Sequence, residues 1–142
     1  MTPTDKEQQM IERFLLVEDA HERMALIVDR AKRQPALSPE EKSEENRVQG
    51  CASRVWIVSS VTEGTCHFRL DADSALVKGL AALICEVYEG AAPREAAAFE
   101  TEILAKLHLL DHLSPTRRNG LDQVRRVIQT FAASAASETT RT

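Results

Sequence analysis

Residues 54–70 read Arg54-Val55-Trp56-Ile57-Val58-Ser59-Ser60-Val61-Thr62-Glu63-Gly64-Thr65-Cys66-His67-Phe68-Arg69-Leu70. The first half is β-branched and aromatic, as expected of a strand apolar on both faces. Glu63-Gly64 carries turn chemistry. In the second half Cys66, Phe68 and Leu70 alternate with His67 and Arg69, the period of a half-buried strand. Together they predict an antiparallel hairpin.

Helical periodicity flanks the hairpin on both sides. Upstream, Met10, Ile11, Phe14 and Leu15 share one helical face, and Met24, Ile27 and Val28 share another. The junction falls near Glu18 to Ala20, and the second helix ends by Arg33-Gln34 because Pro35 disfavours helix before it. Residues 35–46 hold two prolines and Glu40, Glu41, Glu44 and Glu45, a solvated acidic loop. Downstream, Asp71-Ala72-Asp73-Ser74 offers N-caps for a helix carrying Leu76, Leu80, Leu83, Ile84 and Val87, with Gly90 as its stop. Pro93 opens another helix, with Ile103, Leu104 and Leu107 facing inward. Ser114-Pro115 then caps a last one bearing Leu121, Val124, Val127, Ile128 and Phe131. This order of elements predicts an α+β domain.

The chain has 142 residues, enough for one domain. Residues 1–133 are expected to form it, and 134–142 a frayed tail. Lys and Arg number 18 against 22 Asp and Glu, a net charge of −4. A general nucleic-acid binder would show a basic excess instead. No run approaches a membrane span. Met1 to Met10 lack the apolar segment of a secretory signal, so a cytoplasmic protein is expected.

Three cysteines cannot all pair, which points to reduced thiols. Cys66 shares its strand face with Phe68 and Leu70, and Cys85 adjoins Ile84, so both read as core. Cys51 lies in Gly50-Cys51-Ala52-Ser53 between the acidic loop and the first strand. It is either a reactive loop thiol, with Arg47 and Arg54 near in sequence to favour the thiolate, or a small buried hydrophobe. Gly79, interior to a predicted helix, costs about 1 kcal/mol relative to Ala. That cost implies close approach of another element, for which the cysteine loop is the first candidate. His108 and His112 are four apart around Asp111, but the helix ends at once and no third ligand follows. The basic pairs Arg117-Arg118 and Arg125-Arg126 read as solvated faces or a docking patch. No phosphate-binding loop or Ser-His-Asp order is present.

Asn46-Arg47-Val48-Gln49-Gly50-Cys51-Ala52-Ser53-Arg54-Val55-Trp56 resembles the N-x-V-x-G-C-x-S-x-V-W signature of the SufE family. Phe68 to Leu80, with Ala72-Asp73-Ser74 and Lys78-Gly79-Leu80, resembles a second family block. Leu113-Ser114-Pro115-Thr116-Arg117 followed by Asn119-Gly120-Leu121 resembles a third. The resemblance spans about residues 8–132. It departs from the family pattern at Asp29 to Pro35, which lacks the usual L-G-x-x-L-P, and at Thr116, where Ser is commoner.

The resemblance implies a small antiparallel sheet of about three strands with helices packed against it, as in IscU-type scaffolds. The additional strand would lie near Asn46–Val48. It implies that Cys51 accepts sulfur as a persulfide from a cysteine desulfurase of the SufS or CsdA kind, stimulating that enzyme. The sulfur would pass to a SufBCD-like cluster scaffold. This chain would then be a relay rather than an enzyme, with no cofactor or metal of its own and the pyridoxal phosphate on the desulfurase. Arg117 would orient the Cys51 loop or contact the partner, and Asp73 would cap a helix near that loop. No nucleic acid or membrane is implied, and homodimerisation is left open. The alternative is an IscU-type iron–sulfur scaffold holding a cluster through Cys51, Cys66 and His108.

Overall fold

A computed structural model describes residues 1–141. Helices α1 (Pro3–Phe14) and α2 (Ala20–Lys32) lead to strands β1 (Val55–Thr62) and β2 (Thr65–Ala72). Then come α3 (Ala75–Tyr88), α4 (Pro93–Ala98), α5 (Ile103–Lys106), a 3-10 turn at Leu110–His112, and α6 (Pro115–Arg141). The strands pair antiparallel, Val55 opposite Ala72 and Thr62 opposite Thr65. Glu63 and Gly64, at φ 51° and 78°, make the turn whose twist matches a two-residue hairpin.

The sheet has two strands rather than three. The segment expected as a third contributes a single bridge, Arg47 opposite Trp56. The Val48 N–H donates to the Val55 carbonyl at 2.8 Å, and the Ile57 N–H to the Asn46 carbonyl at 2.9 Å. Pairing stops there because residues 44–47 form a turn, the Arg47 N–H reaching the Glu44 carbonyl. On the other side Gly50 turns the chain away at φ 87°.

The apolar helix α3 packs against α1, α2, β2, α5 and α6. Leu80, Leu83, Ile84 and Val87 are buried on it, as are Cys66, Phe68 and Leu70 of β2. Ser74, rather than Asp73, caps α3 by accepting from the Val77 N–H. Asp73 instead pairs with Arg54. Asp71, 5% exposed, accepts from the Leu37 and Ala72 N–H groups and pairs with Lys42 and Lys78. Burial alone would raise the Asp71 pKa; these donors and cations outweigh it and hold the carboxyl below its ordinary value. The acidic loop is thereby tied to the hairpin.

Three further expectations change. The helix opened by Pro93 breaks at Phe99 to Glu102, because side chains claim its backbone. The Phe99 carbonyl accepts from the Tyr88 hydroxyl and from Gln129, and the Thr101 N–H donates to Tyr88. The expected tail from Ser134 continues α6 as far as Arg141, with Ala135 buried; Thr142 lies outside the described residues. Gly79 faces α2, not the cysteine loop. A Cβ there would sit 3.1 Å from the Ile27 carbonyl oxygen and 3.2 Å from the Val28 Cα.

Both of those neighbours are mid-helix backbone, which cannot yield locally. Gly79→Ala gains about 1 kcal/mol of helix propensity but overpacks a rigid contact, at about 1–3 kcal/mol. We expect a net loss of stability, read as a lower urea midpoint, with the alkylation rate of Cys51 unchanged.

Candidate functional site

The site begins with a loop that the fold holds at both ends. The Val48–Val55 bond closes it, and residues 49–54 between them carry no regular structure. Asn46 anchors the approach, its side-chain amide donating to the Glu41 carbonyl. The Arg54 carbonyl accepts from the Asp73 N–H, and the Arg54 side chain closes on Asp73 at 2.8 Å. Gly50 is in the left-handed region, and a Cβ there would lie 3.3 Å from the Gln123 Cγ. The conformation calls for glycine, and a Cβ would also press on the Gln123 side chain.

Cys51 is partly buried and rests on the first turns of α6. Its thiol donates to the Gly120 carbonyl, S···O 3.1 Å. A Cβ on Gly120 would stand 3.2 Å from the Cys51 Sγ, closer than side chains ordinarily pack, so a side chain at residue 120 would push the thiol aside. A cavity of about 160 Å³ opens beside the thiol, lined by Cys51, Ser53, Val77, Ser114, Arg117, Gly120 and Leu121 among others. A larger depression between α5 and α6 holds no cysteine or histidine.

The electrostatics keep the thiol protonated at rest. Burial pushes the Cys51 pKa above its ordinary value, and the Arg47 charge offsets only part of that rise. Donation to a carbonyl favours the neutral form as well. Arg54 is occupied by Asp73, so of the two arginines expected to favour the thiolate only Arg47 acts on it. Burial likewise raises Cys66 and Cys85. Both are free thiols in the apolar core.

The structure brings Arg117 to the Cys51 cavity. Its backbone N–H is capped by Ser114, but its Nη1 is buried with no hydrogen-bond partner among the described residues. A buried unsatisfied donor costs about 1–3 kcal/mol, more when charged, and such an orphan calls for an explanation. Cys51, Cys66 and His108 are not gathered into one site. Cys66 sits under Ala91 in the core, and His108 is an exposed residue after α5 at φ 58°. His112 stacks near His21, ring centroids 4.5 Å apart. Among the described residues no three His, Cys, Asp or Glu side chains are grouped to hold a metal.

Gly120 and Gln123 are the residues that sequence reasoning left without a role. A signal for Gly120 was present: a glycine interior to a helix, the same anomaly that marks Gly79.

Gly120→Ala differs from Gly79→Ala because its obstructed neighbour is a side chain on a loop, which can move. We expect a stability change within about 1 kcal/mol and a Cys51 that alkylates faster at pH 8, having lost its cover. In the unsubstituted protein the pH midpoint of Cys51 alkylation lies above the ordinary thiol value of about 8.5 and returns to it in urea. Arg47→Gln removes the one nearby charge that lowers it, so the midpoint moves further up; a downward move would contradict the assignment.

The chain agrees with known proteins over nearly its full length. The SufE model, described as the Fe-S metabolism associated domain, matches residues 8–132. An uncharacterized SufE-like protein of Rhizobium etli is 33% identical over 135 residues, 91% of either chain. The solution structure of a hypothetical protein from Thermus thermophilus superposes with a TM-score of 0.77. It shares 22% identity and covers 96% of this chain and 98% of that one, so the fold is shared. No described helix is long and apolar enough to cross a membrane. With the cysteine block, the arginine block and the fold in agreement, the chain belongs to the SufE family and takes part in Fe–S metabolism.

Proposed function

We propose that this chain is a sulfur acceptor that stimulates a cysteine desulfurase and carries persulfide sulfur on Cys51 to iron–sulfur cluster assembly. The observation that carries the reading is the Cys51 thiol, held on a loop beside a small cavity by one contact with α6. Cys66 and Cys85 are core residues in the same chain.

The reaction is thiol exchange. Cys51 gives up its proton, and its thiolate attacks the outer sulfur of the partner's cysteine persulfide. The partner's S–S bond breaks, its cysteine leaves as thiolate, and Cys51 holds the new S–S bond. Thiolate supply and access set the rate of such a step. Both are restrained at rest, by burial and by the bond to the Gly120 carbonyl. Docking would therefore draw the loop off α6, freeing the thiol where the donor sulfur stands. The chain is a relay in the cytoplasm rather than an enzyme. The pyridoxal phosphate belongs to the desulfurase, and a cluster scaffold collects the sulfur.

The test mixes the protein with a desulfurase, pyridoxal phosphate and L-cysteine. Intact and peptide mass spectrometry should find one added sulfur on Cys51, and Cys51→Ser should abolish stimulation of sulfide release. An adduct confined to Cys66 or Cys85, or no adduct, would overturn the reading.

A further inference from the structure

The Cys51 cavity offers two opposite hydrogen-bonding partners. The Gly120 carbonyl accepts from the thiol. Arg117 lines the same cavity, and its buried Nη1 donor has nothing to bond to among the described residues. A thiol can use the carbonyl but has no charge to offer the guanidinium. A persulfide reverses this. Its outer sulfur is more acidic than the parent thiol, extends about 2 Å beyond Sγ, and as an anion accepts hydrogen bonds and is repelled by a carbonyl.

Among the other charges around the loop, Arg47 acts on Cys51 through its charge, and each has a partner of its own. Arg47 lies near Glu44, Arg54 is paired with Asp73, and Arg118 donates to the Leu110 and Leu113 carbonyls. The buried Nη1 of Arg117 has no such partner among the described residues.

Building on the sulfur-carrying role proposed above, we infer that Arg117 is the positioning residue for the loaded form of Cys51. The anionic outer sulfur turns from the Gly120 carbonyl into the cavity and accepts from the Arg117 Nη1. The site thus distinguishes the two states of one cysteine: a carbonyl receives the empty thiol, a guanidinium the loaded anion. The loaded sulfur is thereby kept from small nucleophiles between partners.

The test loads the purified protein with inorganic tetrasulfide, so no desulfurase is needed. The Cys51 thiolate takes one sulfur atom from the polysulfide chain, which leaves as the shorter polysulfide. Mass spectrometry confirms a single added sulfur before use. Cyanide then removes it as thiocyanate and restores the thiolate, and the rate is followed.

Arg117→Gln should lose its sulfur about tenfold faster, the scale of one charge-assisted hydrogen bond. Arg117→Lys should restore part of the protection, and Arg118→Gln should match the unsubstituted protein. Iodoacetamide trapping against pH adds a readout that packing alone would not move. The ionisation midpoint of the persulfide should rise in Arg117→Gln and fall back in Arg117→Lys. Equal cyanide rates and equal midpoints in folded Arg117→Gln would overturn the inference. Failure of the desulfurase to load Cys51, with tetrasulfide loading and protection intact, would count against the proposed function and leave the assignment of Arg117 standing.

Discussion

The Gly120 carbonyl of α6 lies 3.1 Å from the Cys51 Sγ, and the chemistry of the site depends on that closeness. It partly shields the thiol from water and presents a carbonyl to its proton. It also places Arg117, one turn earlier on the same helix, at the edge of the same cavity. The missing side chain at residue 120 thus leaves room for the thiol and for its bond to the carbonyl. The loop ends are fixed by the sheet, through Val48 and Val55, and between them the loop rests on α6 at Gly50 and Cys51.

The two helix-interior glycines illustrate how differently the same anomaly can be used. At Gly79 the space is filled by the backbone of α2, and the result is a tight helix pair under the core. At Gly120 it is filled by a cysteine on a loop. The first contact is permanent because helix backbones move only together. The second can open because a loop can swing.

What was legible in the sequence is what depends on neighbours in the chain. Alternation at Cys66, Phe68 and Leu70, with Glu63-Gly64 before them, gave the hairpin. Pro35 and Ser114-Pro115 gave helix limits. The block around Cys51 carried the family. Contacts across long separations were not legible. The bond from Cys51 to Gly120 spans 69 positions, and no local pattern announces it. The break after α4 arises likewise, because Tyr88 and Gln129 reach the Phe99 carbonyl from α3 and α6. The third strand failed for a local reason visible only in three dimensions. Gly50, permissive by itself, is used here in the left-handed region and ends the pairing at once.

The order in which the chain is made gives the Cys51–Gly120 contact a further meaning. At about 5–20 residues per second, synthesis places residue 120 roughly 3–14 s after residue 51. The Cys51 thiol is therefore made before the helix it rests on exists. Over that interval α6 cannot cover Cys51. A truncation anywhere before α6 would make that uncovered state permanent.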